Sequence, residues 1–143
     1  MYGGLLAGAL DLLAAFVVYG LRGVPPVRVL QSIASGLLGT AAFAGGGRTA
    51  ALGGCLHFLI ATVACAVFYV ASRIAPVLVR RPVLSGVLYG LVVYLFMNVV
   101  VLPLSAVPRR PLVWSLAAVI VAVHMVCVGL PIALVVRRYA PAD

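Results

Sequence analysis

Charge is scarce in this sequence. Only 8% of its 143 residues are charged, lysine and glutamate are absent, and the acids are Asp11 and Asp143. A water-soluble domain carries roughly 25% charged residues to solvate its surface. A soluble enzyme, a disordered tail and a free nucleic-acid-binding domain are therefore excluded. Cysteine is also rare. Cys55, Cys65 and Cys127 are odd in number and lie inside apolar stretches, so they read as small hydrophobes rather than a disulfide framework. There is no Walker loop, nucleophile elbow, pair of catalytic carboxylates or zinc motif, which points away from an enzyme. The first apolar run has no basic start and no small-x-small cleavage site, and it contains Asp11. It reads as a retained spanning helix rather than a signal peptide.

Apolar length is abundant. Hydrophobic residues make up 66% of the chain, its mean hydropathy is +1.29, and the apolar residues fall in runs of about 20. That length crosses ~30 Å of hydrocarbon at ~1.5 Å per helical residue. The sequence thus predicts an all-α integral membrane protein, one transmembrane domain over 1–143, with spans at about 3–21, 50–72, 83–102 and 113–136. Pro25 and Pro26 close the first connection, Pro76 lies in the second, Pro103 ends the third span, and Trp114 suits an interfacial aromatic. All ten basic residues are arginines at the ends of these runs: Arg22, Arg28, Arg48, Arg73, Arg80, Arg81, Arg109, Arg110, Arg137 and Arg138. They read as anchors against lipid phosphates, with the bilayer as partner and no nucleic acid.

Residues 27–44 are apolar but short and carry Arg28, Gln31, Ser32, Ser35 and Thr40. They suit an interfacial or re-entrant helix. With four spans the arginines divide five to five between the two sides. Counting 27–44 as a fifth span divides them seven to three. Length and polarity favour four, charge bias favours five, and four is the reading adopted.

The chain also repeats. At an offset of 82, Gly4 meets Gly86, Gly8 meets Gly90, Pro26 meets Pro108 and Arg28 meets Arg110. Beyond the short helix, His57 meets His124. This predicts two pseudo-symmetric hairpins of the same polarity, related by an axis along the membrane normal.

Gly4, Gly8, Gly86 and Gly90 give the first and third spans flat faces for close helix packing, with a homodimer interface as the alternative use. Asp11 shares the face of Gly4, Gly8 and Ala15. A carboxylate within the bilayer costs at least ~2.5 kcal/mol and seldom faces lipid, so Asp11 is expected to point inward. It is either a proton- or cation-binding group or a buried structural acid. His57 and His124 occupy matched positions in the second and fourth spans, with Asn98, Tyr69 and Tyr94 as candidate partners. Histidine titrates near neutrality, so Asp11 with a histidine, His124 by depth, could pass or trap a proton. Bis-histidine ligation of haem b by His57 and His124 is the alternative cofactor reading. A soft-metal site at His124 and Cys127, with Met125 or Met97, is a further one. Pro131 frees the Cys127 carbonyl and predicts a kink.

A Gly-xxx-Gly first helix, His57 in the second, Gly86 and Gly90 in a third ending at Pro103, and a His124-bearing fourth ending in Arg137 and Arg138 together resemble small bacterial inner-membrane proteins of the YagU type. The present chain is shorter and adds Asp11. The resemblance implies a bacterial inner-membrane address. The functions to be weighed are proton or small-cation handling at an Asp–His site, a haem electron carrier, and a structural or accessory membrane subunit.

Overall fold

The computed structural model of the chain describes residues 2–108 and 113–139, so Arg109, Arg110 and Asp143 lie outside it. Among the described residues there is helix and no strand. The helices are α1 (Tyr2–Gly20), α2 (Pro26–Leu38, continued as a 3₁₀ stretch Gly39–Ala44), α3 (Gly46–Ile74), α4 (Pro82–Leu104) and α5 (Trp114–Tyr139). A single turn, Val77–Arg80, joins α3 to α4. By length and composition, five helical stretches are long and apolar enough to cross a membrane: Tyr2–Gly20, Pro26–Ala44, Gly46–Ile74, Pro82–Leu104 and Trp114–Tyr139. The third starts four residues before the expected position 50, at Gly46.

The stretch 26–44 is not one straight rod. Gly39 takes φ +58, the left-handed conformation that glycine adopts without steric cost, and the chain turns back there. Arg28 Nη1 donates to the Phe43 carbonyl at 3.3 Å, and the guanidinium lies 5.6 Å from the centre of the Phe43 ring. Residues 15 apart in a continuous α-helix would be separated by roughly 22 Å. The straight part, Pro26–Leu38, has 13 residues and is about 20 Å long. Gln31, only 2% exposed, holds the returning segment by donating to the Gly46 carbonyl at 3.1 Å. Thr49 Oγ1 donates to the Ala42 carbonyl at 2.6 Å. At Gly53 the two backbones touch closely, since an added Cβ would run into the Leu30 carbonyl.

The remaining four helices pack through glycine. A Cβ at Gly4 would stand 2.7 Å from Thr62 Cα, and one at Gly8 would stand 2.9 Å from the Phe58 ring. Residue numbers rise along α1 as they fall along α3, so the two helices are antiparallel. Gly86 backs onto Gly129 and Leu130, and Gly90 onto His124 and Met125, which makes α4 and α5 antiparallel as well. The Tyr2 and Tyr139 rings stack with centroids 6.4 Å apart, so α1 and α5 also oppose each other. One end of the bundle therefore carries Gly20, Gly46, Leu104 and Trp114, and the other carries Tyr2, Ile74, Pro82 and Tyr139. The chain leaves α1 and joins α3 at the same end. The close contacts at Gly4, Gly8, Gly86 and Gly90 are thus made within the chain.

The packed core lies toward the Tyr2/Tyr139 end, around Ala7, Cys65, Phe68, Val128, Ile132, Ala133 and Val136. Tyr89 closes it, its ring edge-on to Phe68 at 4.9 Å and its hydroxyl donating to the Ala64 carbonyl at 2.7 Å. The outer surface is Leu, Val and Ile. In a bilayer the hydrophobic effect would give such helices no inward force, leaving close backbone contact and dispersion to hold them together.

Candidate functional site

Asp11, His57 and His124 come together near the middle of three helices. The Asp11 carboxylate reaches His57 Nε2 at 3.9 Å and His124 Nδ1 at 3.8 Å. These are ion-pair distances, too long for direct hydrogen bonds. The three side chains are 15–18% exposed, so none is sealed from its surroundings. The sequence reading paired Asp11 with one histidine. The structure brings it to both.

Glycine is what permits this approach. Without a side chain at Gly8, α3 comes near enough for His57 Nε2 to reach the Gly8 carbonyl at 2.8 Å. On the other side, Gly90 lets α4 rest directly on the His124 main chain. There His124 Nδ1 lies 3.0 Å from the carbonyl of Ile120 on its own helix, and the Tyr94 ring meets the imidazole edge-on at 5.6 Å. A carbonyl oxygen only accepts hydrogen bonds, which assigns the tautomers. His57 carries its proton on Nε2 and His124 on Nδ1, each N–H directed at its carbonyl, with the Asp11 carboxylate 3.9 and 3.8 Å from the same two nitrogens. The opposite nitrogens, His57 Nδ1 and His124 Nε2, bond to no protein group among the described residues. Each keeps a lone pair that can take up a proton.

The backbone of α5 departs from α-geometry at the site. His124–Gly129 is a π-helical stretch that ends just before Pro131. Proline supplies no N–H for the Cys127 carbonyl and crowds it, and widening the turn relieves both problems. The expected kink at Pro131 is thus a local π turn beginning at the histidine itself. The same happens in α4, where the π-helical stretch Met97–Val101 precedes Pro103. The helix there continues past the proline to Leu104. Such turns collect at functional positions, and the proline is their visible signal in the sequence.

Asn98 is not brought to the site. It is exposed, and its amide donates to the Tyr94 carbonyl on its own helix at 2.8 Å. Tyr69 is exposed on α3. Gly4, Gly8, Gly86 and Gly90 are all buried at helix contacts. His57 Nε2 and His124 Nδ1 are taken up by the Gly8 and Ile120 carbonyls, so a haem iron would have to be met by His57 Nδ1 and His124 Nε2. Among the described residues no group of three or more His, Cys, Asp or Glu is spaced to hold a metal ion. The residues that sequence reasoning did not find are main-chain acceptors, the Gly8 and Ile120 carbonyls. No side-chain pattern marks them. No family model, curated protein or solved structure matches the chain.

Proposed function

We propose that this is a multi-pass membrane protein whose Asp11–His57–His124 cluster binds and releases a proton inside the bilayer, as a proton-handling or pH-responsive device rather than an enzyme. The observation that carries this reading is the convergence of one carboxylate and two imidazoles from three helices. Two neutral imidazoles and one carboxylate together carry a single negative charge, and one further proton makes the three groups electrically neutral, the state that a low-dielectric surround tolerates best. Gaining or losing that proton changes the charge in the middle of the bundle, and two free imidazole lone pairs stand ready to accept it. Proton handling is favoured over metal-cation handling because the donors lack the spacing to hold a metal ion.

Four membrane crossings go with this proposal: α1, α3, α4 and α5, with α2 re-entrant. Support comes from the antiparallel contacts of α1 with α3, which put both ends of the 21–45 connection on one side. The ~20 Å straight length of α2 falls short of ~30 Å of hydrocarbon. The two crossing pairs read as repeats, since Gly8 and Gly90 each meet the histidine of the partner helix or its main chain. A bacterial inner-membrane location is proposed with them, on the resemblance described above.

The test is proton flux into vesicles reconstituted with purified protein and loaded with a pH-sensitive dye, comparing the parent with Asp11→Asn. Asn keeps the shape and removes the titrating group. Flux in the parent that falls at least tenfold in Asp11→Asn, with both proteins equally monodisperse, is the expected result. Equal flux in the two, or flux no greater than in empty vesicles, overturns the proposal.

A further inference from the structure

A shallow groove of about 490 Å³ runs between the start of α4 and the end of α5, lined by Arg81, Pro82, Val83, Leu84, Val87 and Arg137. It lies at the Tyr2/Tyr139 end, away from the Asp11 cluster. Its two chemistries are separated along its length. Arg81 and Arg137 belong to its outer end, beside the start of α4 and near the end of α5, and Val83, Leu84 and Val87 follow α4 inward, reaching roughly 9 Å below Arg81 at 1.5 Å per residue. Arg81 is held in place by its own backbone, because its carbonyl accepts from the Ser85 hydroxyl at 2.8 Å and from the Ser85 N–H at 3.0 Å. The Ser85 hydroxyl also reaches the Leu78 carbonyl, tying α4 to the single turn before it. Asp11, the one acid among the described residues, is half the bundle away.

We infer that this groove is a binding site for one anionic phospholipid, its phosphate held between Arg81 and Arg137 and an acyl chain lying along Val83, Leu84 and Val87. The argument is complementarity of charge and of polarity along the groove. Guanidinium is the side chain best shaped to grip phosphate through paired N–H donors. Basic recesses between membrane helices hold acidic headgroups by the same chemistry. Scattered interfacial arginines would attract anionic lipid without retaining any single molecule. A groove with two arginines at its mouth and an apolar floor binds at one-to-one stoichiometry. The inference rests on the chain lying in a membrane and is independent of the proton site.

The experiment is native mass spectrometry of the full chain in mild detergent, titrated with phosphatidylglycerol or phosphatidylcholine. One phosphatidylglycerol should remain bound per chain, with phosphatidylcholine held at least tenfold more weakly. Arg81→Gln with Arg137→Gln should weaken phosphatidylglycerol about tenfold or more, whereas Arg22→Gln with Arg48→Gln, at the opposite end, should not. Val87→Trp, which fills the apolar floor and leaves both charges, should weaken it as well and serves as the second variant should the double mutant fail to fold. Millimolar glycerol phosphate should not displace the lipid. Equal retention of the two lipids, an equal loss in the opposite-end double mutant, or displacement by glycerol phosphate overturns the inference.

Discussion

Replacing Gly90 with alanine should loosen the bundle and disturb its centre together. A methyl group at Gly90 would stand 2.5 Å from Met125 Cα and 2.7 Å from the His124 carbonyl carbon, and would also run into the His124 carbonyl oxygen. Carbon atoms rest at about 3.5–4.0 Å, so α4 and α5 must move apart by about 1 Å at that level. A gap of that size forfeits a quarter to a half of each dispersion well along the seam, and overpacking of this kind costs about 1–3 kcal/mol. Helix propensity acts in the other direction, since alanine is better than glycine by about 1 kcal/mol in a helix interior. The control is Gly54→Ala, where the new methyl meets only Leu30 Cδ2 at 3.9 Å. That site has the propensity gain without the clash. Unfolding in mixed detergent micelles with rising sodium dodecyl sulfate should therefore rank Gly54→Ala above the parent and Gly90→Ala at or below it, the two differing by about 1–3 kcal/mol, because the propensity gain is common to both. Because the obstructing atoms belong to His124, proton flux should fall with stability in Gly90→Ala. A Gly90→Ala protein as stable as Gly54→Ala would refute the reasoning, because the two backbones could not then be in contact.

Two further outcomes are expected. Reporter fusions to the two ends of the chain should give signals on the same side of the membrane, because Tyr2 and Tyr139 stack. Opposite signals would require five crossings. Phe68→Ala removes the largest fully buried side chain, 1% exposed, and should cost about 3–5 kcal/mol in the same micelle unfolding assay. A loss below 1 kcal/mol would mean that Tyr89 and Ile132 close over the space.

Helices long and apolar enough to cross a membrane were legible in the sequence, because a membrane imposes a length and runs of about 20 apolar residues answer to little else. The inward face of α1 was legible too, since glycine every fourth residue marks where a neighbour can come close. The reversal at Gly39 was not. It depends on the sign of one φ angle at one of 15 glycines, and Gly36 three residues earlier stays helical. Counting depth from the helix ends puts Asp11 and His124 at one level. It does not show that His57 faces the same point, because the rotation of α3 about its axis is set by the Gly4 and Gly8 contacts. Asn98 misleads for the same reason. It lies in the π-helical stretch Met97–Val101, where the extra residue per turn alters the face that a 3.6-residue count would assign.

The three groups of the central cluster belong to the first, third and last of the long helices, which has a consequence during synthesis. On the proposed membrane reading, Asp11 has His57 as its one imidazole neighbour while α4 is still being made. The second imidazole arrives with α5, 67 residues after His57 and 113 after Asp11. Until then the nascent hairpin holds an acid that only a transient companion, such as the insertion machinery or trapped water, can accommodate. A chain truncated before α5 is therefore expected to be retained or degraded rather than left as a stable fragment.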